Sequence, residues 1–156
     1  MKTAEIQLQS VRLRPLVQQV IGREAANHAA VKTEMAEHIE VRANPELLTR
    51  ALANVIRNAV RYAGPEASIQ IAASRHGPHV KVCVTDNGPG VPDNVLNKLF
   101  DPFYRLEADR ARSTGGTGLG LAIVKACVEA CGGTVAAKNR VSGGLEISFT
   151  LQMPEP

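Results

Sequence analysis

Four glycines stand within six residues, Gly115 to Gly120 of GGTGLG, and the chain then runs into the apolar-periodic stretch LAIVKACVEA. Glycines at a helix start let backbone N–H groups approach a ligand closely, and the helix dipole favours negative charge there. The segment reads as a phosphate cradle. It lacks the Lys-Ser/Thr pair of a P-loop and the spacing of the dinucleotide fingerprint; read alone, its glycines also fit the closing of a mobile loop. A second cluster, DNGPGVP, runs from Asp86 to Pro92 at the end of an expected strand. A carboxylate there, walled by apolar residues, can accept a hydrogen bond from an amino group such as that of adenine. A plain Asx-turn is the alternative. In NVIRNAVRY, the spacings of four and three put Asn54, Asn58 and Arg61 on one helix face. Asn is a poor helix former, and its amide oxygen can ligate Mg²⁺ beside phosphates. For a single Asn, a solvated helix face is the plainer reading.

The elements that must position these residues are legible. Asn44 is a predicted N-cap, followed by Pro45 and Glu46 in the first turn. Leu47, Leu48, Leu52, Val55, Ile56 and Val60 then recur at helical spacing until Gly64 and Pro65 stop the helix that carries the Asn strip. Residues 67–74 and 79–86 alternate as two strands around a turn, which sets Asp86 at a strand end. The helix opening at Gly120 stops at Gly132 and Gly133. Residues 134–139 and 145–153 form a closing hairpin. Upstream, Leu16, Val17, Val20 and Ile21 after Pro15 predict a first helix, and 34–43 alternates weakly as a strand. The polar opening is the tail of an upstream element or a first strand. Residues 93–99 make a short helix; 101–115 has no period, which in a compact domain marks a functional or disordered loop. Consecutive hairpins rule out a purely parallel sheet. The expected fold is α+β: a two-layer sandwich with a mixed, largely antiparallel sheet and helices on one face.

Length and charge narrow the rest. With 156 residues the chain is one domain, and a net charge of +3 suits a phosphate ligand. It lacks the basic blocks that mark nucleic-acid tails, so no nucleic-acid partner is expected. No apolar run approaches the roughly 18 residues of a membrane span, and no signal peptide is visible, so no direct membrane contact is expected of this fragment. Cys83, Cys127 and Cys131 lack metal-site spacing and read as small buried hydrophobes. Of the five aromatic residues, Tyr62, Phe100, Phe103 and Tyr104 fall inside the segments that carry chemistry.

NVIRNAVRY, DNGPG, LFDPFYR and GGTGLGLAIVK resemble, in this order, the N, G1, F and G2 boxes of the ATP-binding catalytic domain of bacterial sensor histidine kinases, a branch of the GHKL superfamily. The similarity runs from about Leu16 to Met153. It implies the Bergerat sandwich and a site for ATP and Mg²⁺. Asp86 would bind the adenine amino group, with Gly88 and Gly90 shaping that wall and Tyr62 against the base. Asn58 would hold Mg²⁺ with Asn54 assisting, and Arg61 would meet phosphate. Gly116, Thr117, Gly118, Leu119 and Gly120 would form the lid hinge and the phosphate-facing amides. Phe103 would join the nucleotide contacts, and Arg105 would approach the γ-phosphate during transfer. Asn54 stands where gyrase-type relatives carry the Glu that orients water, and an amide cannot serve as a general base at neutral pH.

The resemblance implies residues 1–14 as a linker or the end of a dimerisation helix, and 15–156 as the catalytic domain. None of His28, His38, His76 and His79 has the His-Glu/Asp-x-x-x-Pro setting of a phosphoacceptor; all four read as surface or structural. The acceptor is therefore expected on a separate dimerisation domain, with a response regulator downstream. The domain would be cytoplasmic, monomeric when isolated, and part of a parent protein anchored in the bacterial inner membrane. Rival readings are an anti-sigma-factor serine kinase of the same fold and a non-catalytic nucleotide-binding or interaction module. A Rossmann oxidoreductase fits neither the hairpins nor the glycine spacing.

Overall fold

A computed structural model describes residues 5–27, 30–104 and 120–155. Strand β1 (Gln9–Arg12) leads into helix α1 (Leu13–Glu24), strands β2 (Val31–Glu34) and β3 (Glu40–Ala43), and helix α2 (Pro45–Ala63). The hairpin β4 (Ile69–His76) and β5 (His79–Asp86) precedes a 3-10 helix at Asp93–Lys98. Helix α3 (Gly120–Ala130) and the hairpin β6 (Thr134–Asn139) and β7 (Leu145–Gln152) complete the described elements.

The main sheet has the order β2-β4-β5-β7-β6, in which β2–β4 is parallel and every other pair antiparallel. This is the predicted mixed, largely antiparallel sheet. Strands β1 and β3 pair separately. Period-2 alternation places Ile69, Ile71, Val80, Val82, Val84, Ile147, Phe149 and Leu151 on one buried face. Against it packs the apolar stripe of α2, with Leu48, Leu52, Val55 and Ile56 at most 2% exposed. Fully burying one such side chain contributes about 1.5–3 kcal/mol, so this seam dominates stability. The opposite sheet face carries Gln70, Lys81, Thr85 and the half-exposed Cys83, on strands whose alternate residues are buried.

Helix α2 begins as its sequence dictates. The Asn44 Oδ1 accepts the Leu47 N–H at 3.1 Å, Pro45 occupies the first turn, and Gly64 ends the helix at φ 90°. Two upstream expectations differ from the structure. Of the single strand expected over 34–43, only Glu34, the end of β2, and Glu40–Ala43, which is β3, are strand; the two lie in different sheets, with Met35 buried between them and Ile39 N–H donating to the Ala36 carbonyl at 3.3 Å. A weak alternation carries no information about which partner a strand pairs with. Helix α1 starts at Leu13, two residues before Pro15, which still lies among the first-turn positions whose N–H has no intrahelical acceptor. From Gln9 onward the polar opening is a strand, and Val11 and Leu13 are buried in the core.

Candidate functional site

Asp86 is the last residue of β5 and is 5% exposed. Its Oδ1 accepts the Gly88 N–H at 2.9 Å and the Leu145 N–H at 3.4 Å. Both bonds fall on one oxygen. The following turn lies against the end of α2: a β-carbon at Gly88 would stand 2.8 Å from the Ala63 Cα and 3.1 Å from Asp86 Oδ1. Gly90 has φ 70°, and a β-carbon there would stand 2.8 Å from Asn139 Oδ1. Both glycines of DNGPG are thus required by close approach, and the second also by its left-handed backbone.

Helix α2 supplies the facing wall. Asn58, Arg61 and Tyr62 line a pocket closed on its other sides by Val91, Leu99, Tyr104, Leu121 and Leu145, with Gly120 at its edge. Asn58 is 8% exposed, and no described residue hydrogen-bonds its side-chain amide. Its amide keeps access to the pocket that the residue lines, so it is open to a ligand there. The Nε of Arg61 is buried and also without a hydrogen-bond partner, while its guanidinium lies 5.0 Å from the Tyr62 ring centroid. That stacking holds the cation over the aromatic ring at the mouth of the pocket.

Asn54 sits one turn earlier. Its Nδ2 donates to the Arg50 carbonyl at 2.8 Å, and its Oδ1 would be 3.6 Å from a β-carbon at Gly120. The amide oxygen therefore faces the first turn of α3, where backbone N–H groups lack intrahelical acceptors. Of the sequence-predicted residues, the structure brings Asn58, Arg61, Tyr62 and Gly120 to one pocket. Asp86, Gly88 and Gly90 do not line it; they lie behind its wall, where the Asp86 carboxylate holds the N–H of the lining residue Leu145 and Gly90 precedes the lining residue Val91. Phe103 is not brought there: it is 71% exposed at φ 65°, and its neighbour Tyr104 lines the pocket instead. Arg105, Gly116, Thr117, Gly118 and Leu119 lie outside the described residues.

Sequence reasoning missed the contribution of the β6–β7 hairpin. Asn139 holds Val91, Arg140 Nη1 donates to the Asp86 carbonyl at 2.9 Å, and Leu145 reaches the Asp86 carboxylate. The signal available was the pair Gly143-Gly144 beside two polar residues, but nothing local distinguishes it from any hairpin turn. The described histidines are exposed: His38 lies 3.5 Å from Arg12 Nη2, His76 shares a 2.9 Å hydrogen bond with Ser74, and His79 opens β5. His28 lies outside the described residues. The three cysteines are free thiols; burial pushes those of Cys83 and Cys127 above their ordinary range.

Residues 43–155 match the family described as histidine kinase-, DNA gyrase B-, and HSP90-like ATPase. The chain is 35% identical over 148 residues to the signal transduction histidine-protein kinase BaeS of Escherichia coli K12, covering 92% of this chain and 31% of that protein. It is 38% identical over 147 residues to a probable sensor histidine kinase of Mycobacterium tuberculosis, covering 94% of this chain and 38% of the relative. The chain thus spans about a third of the length of these curated relatives. Among solved structures, the mycobacterial sensor histidine kinase MprB superposes with a TM-score of 0.80 at 26% identity, over 94% of this chain and 100% of that one. Full-length ShkA in complex with AMPPNP gives 0.80 at 26% identity, over 98% and 32%.

Proposed function

Because the chain belongs to the family of histidine kinase-, DNA gyrase B- and HSP90-like ATPases, we propose that it binds Mg-ATP and donates the γ-phosphoryl group to a histidine. That histidine sits on a separate dimerisation domain of a two-component sensor kinase, which relays the group to a response-regulator aspartate. The observation that carries this reading is Asn58, a largely buried residue that lines the pocket and whose side-chain amide has no described hydrogen-bond partner.

Asp86, with Oδ1 occupied by two backbone N–H groups, offers Oδ2 to the adenine amino group. Gly88 and Gly90 shape that wall, and Tyr62 lies against the base. Asn58 holds Mg²⁺ by its amide oxygen with Asn54 beside it, as a neutral oxygen donor can. The unpartnered Nε of Arg61 suits a phosphate oxygen. The backbone of Gly116, Thr117, Gly118, Leu119 and Gly120 receives the triphosphate, and Arg105 approaches the γ-phosphate. Bound Mg²⁺ neutralises phosphate charge.

In the transfer, the bond from the γ-phosphorus to the β,γ-bridging oxygen breaks, a phosphorus–nitrogen bond to the acceptor imidazole forms, and ADP leaves. Such a step rests on positioning and charge stabilisation, which these residues can supply. Asn54 offers no general base to water, so hydrolysis is slow.

The catalytic domain, expected from residue 15, is proposed to take in β1 from Gln9 because Val11 and Leu13 lie in its core, to be monomeric in isolation, and to be the cytoplasmic part of a membrane-anchored parent. Among the described residues no helix is long and apolar enough to cross a membrane. Calorimetric titration with ATP, with and without Mg²⁺ and with GTP as control, tests the binding. Supplying the dimerisation domain and assaying acid-labile, base-stable phosphate then tests the transfer. A folded chain that binds ATP no better than GTP sinks the reading.

A further inference from the structure

We infer that Asn139 and Arg140 are positioning residues for nucleotide recognition, holding the Asp86 carboxylate and the turn after it in the geometry that receives the base. The inference rests on the nucleotide reading above. Asp86 pairs with Ile69 in the β4–β5 ladder, but it lies just beyond the last paired residues of the β5–β7 ladder, Thr85 and Glu146, so β7 does not fix its carbonyl. Arg140 does: its Nη1 donates to the Asp86 carbonyl at 2.9 Å across 54 positions of sequence. On the far side of the turn, Asn139 Oδ1 accepts the Val91 N–H at 3.0 Å. Its Nδ2 donates to the Val91 carbonyl at 2.5 Å and to Asp93 Oδ1 at 2.8 Å.

One side-chain amide therefore pairs with both main-chain groups of Val91, as a neighbouring strand would. Two adjacent residues of one hairpin bracket residues 87–90 from both ends. The hairpin is itself closed by Arg140 N–H to the Gly144 carbonyl at 2.9 Å and Gly143 N–H to the Arg140 carbonyl at 3.1 Å. Neither Asn139 nor Arg140 lines the pocket; they act through Val91, Leu145 and Asp86. A carboxylate that must meet an amino group within hydrogen-bond geometry loses most of that bond when its peptide swings.

The test compares Asn139→Ala, Arg140→Met and Arg140→Lys with wild type at a temperature where all are folded. It reads ATP and GTP affinities by titration, the melting temperature without nucleotide, and amide exchange over residues 87–92. Expected are about ten-fold weaker ATP binding for Asn139→Ala and Arg140→Met, a narrower ATP-to-GTP ratio, and faster exchange in the turn. Arg140→Lys, which keeps a donor for the Asp86 carbonyl, recovers most of the affinity. A general structural role would lower the melting temperature and leave the ATP-to-GTP ratio unmoved. Should Asn139→Ala fail to fold, Arg140→Met decides, because it leaves every Asn139 bond intact. If Asp86→Ala weakens ATP while the folded hairpin variants bind it as wild type does, the inference alone is overturned. If Asp86→Ala leaves ATP binding unchanged, the nucleotide reading falls and the inference with it.

Discussion

Gly144 presses its backbone onto Asp86: a β-carbon at 144 would stand 2.7 Å from the Asp86 carbonyl carbon and 2.9 Å from the Asn87 Cα. Gly143, one residue earlier, meets nothing within 4 Å although its φ is similarly left-handed, 102° against 97°. The pair separates two costs that usually arrive together. Gly143→Ala should lose only the backbone preference, about 1–2 kcal/mol. Gly144→Ala adds a collision with main chain and should lose more than about 3 kcal/mol. Urea unfolding of the two variants checks this; equal losses would show that the β6–β7 turn yields easily.

Asp86→Ala should weaken ATP binding by about 1.5–3 kcal/mol, the scale of a hydrogen bond to a charged group. The variant also removes the acceptor for the Gly88 and Leu145 N–H groups, so its melting temperature should fall as well. Titration calorimetry with ATP and GTP reads the first effect; thermal melting reads the second.

Asn58→Leu should separate stability from function. The residue is 8% exposed and its amide has no described partner, so an apolar side chain of similar size should raise the stability of the nucleotide-free protein by about 1 kcal/mol. The same change should abolish the Mg²⁺ dependence of ATP binding. Melting without ligand and titration with and without Mg²⁺ measure the two arms. A stability loss would mean that the amide has a structural task.

The ion pair between α1 and α2 gives a pH-dependent contribution of known sign. Arg57 donates to both oxygens of Glu24, at 3.0 and 2.8 Å, and this hydrogen bonding holds the Glu24 carboxyl below its ordinary value. The folded value is depressed, so the stabilisation is present above the unfolded value and is lost as the pH falls through the folded one. Arg57 is 55% exposed, and solvent screening limits the pair to about 1 kcal/mol or less. Urea unfolding of wild type and Glu24→Gln should differ at neutral pH and converge in acid.

Burial raises both the Cys83 and the Cys127 thiol, and the Glu146 carboxylate adds to the effect at Cys83. At neutral pH an alkylating reagent should modify the half-exposed Cys83 before the buried Cys127, with both far slower than in denaturant. Mass spectrometry of partly alkylated protein gives the order.

Local signals carried much of the fold. Asn44, Pro45 and Gly64 bound α2 in sequence and in space because capping is settled within one helical turn. The strand-end place of Asp86 was legible from the alternation of 79–86, but its residues equally suit an Asx-turn, and Oδ1 does accept the Gly88 N–H. The 34–43 segment was not legible, because its change of sheet depends on burying Met35 and on pairing β2 with β4, both long-range facts. Asn139 and Arg140 were hidden for the same reason. Their partners lie 48 and 54 positions away, and a hairpin turn with polar residues is unremarkable in sequence.

The ladder that joins β5 to β7 links residues 79–85 to 146–152, so the strand-end corner draws on chain made far apart in time. A ribosome delivers α1, α2 and the β4–β5 hairpin well before Asn139, Arg140 and Leu145 emerge. Until then the Asp86 peptide has no guanidinium to hold it, and Val91 has no amide partner. A ligand that needs the finished corner stabilises only the finished chain, because binding favours the state that binds and no other. Nascent forms also lack the β7 half of the α2 seam, so a nucleotide bound at this corner favours completed synthesis.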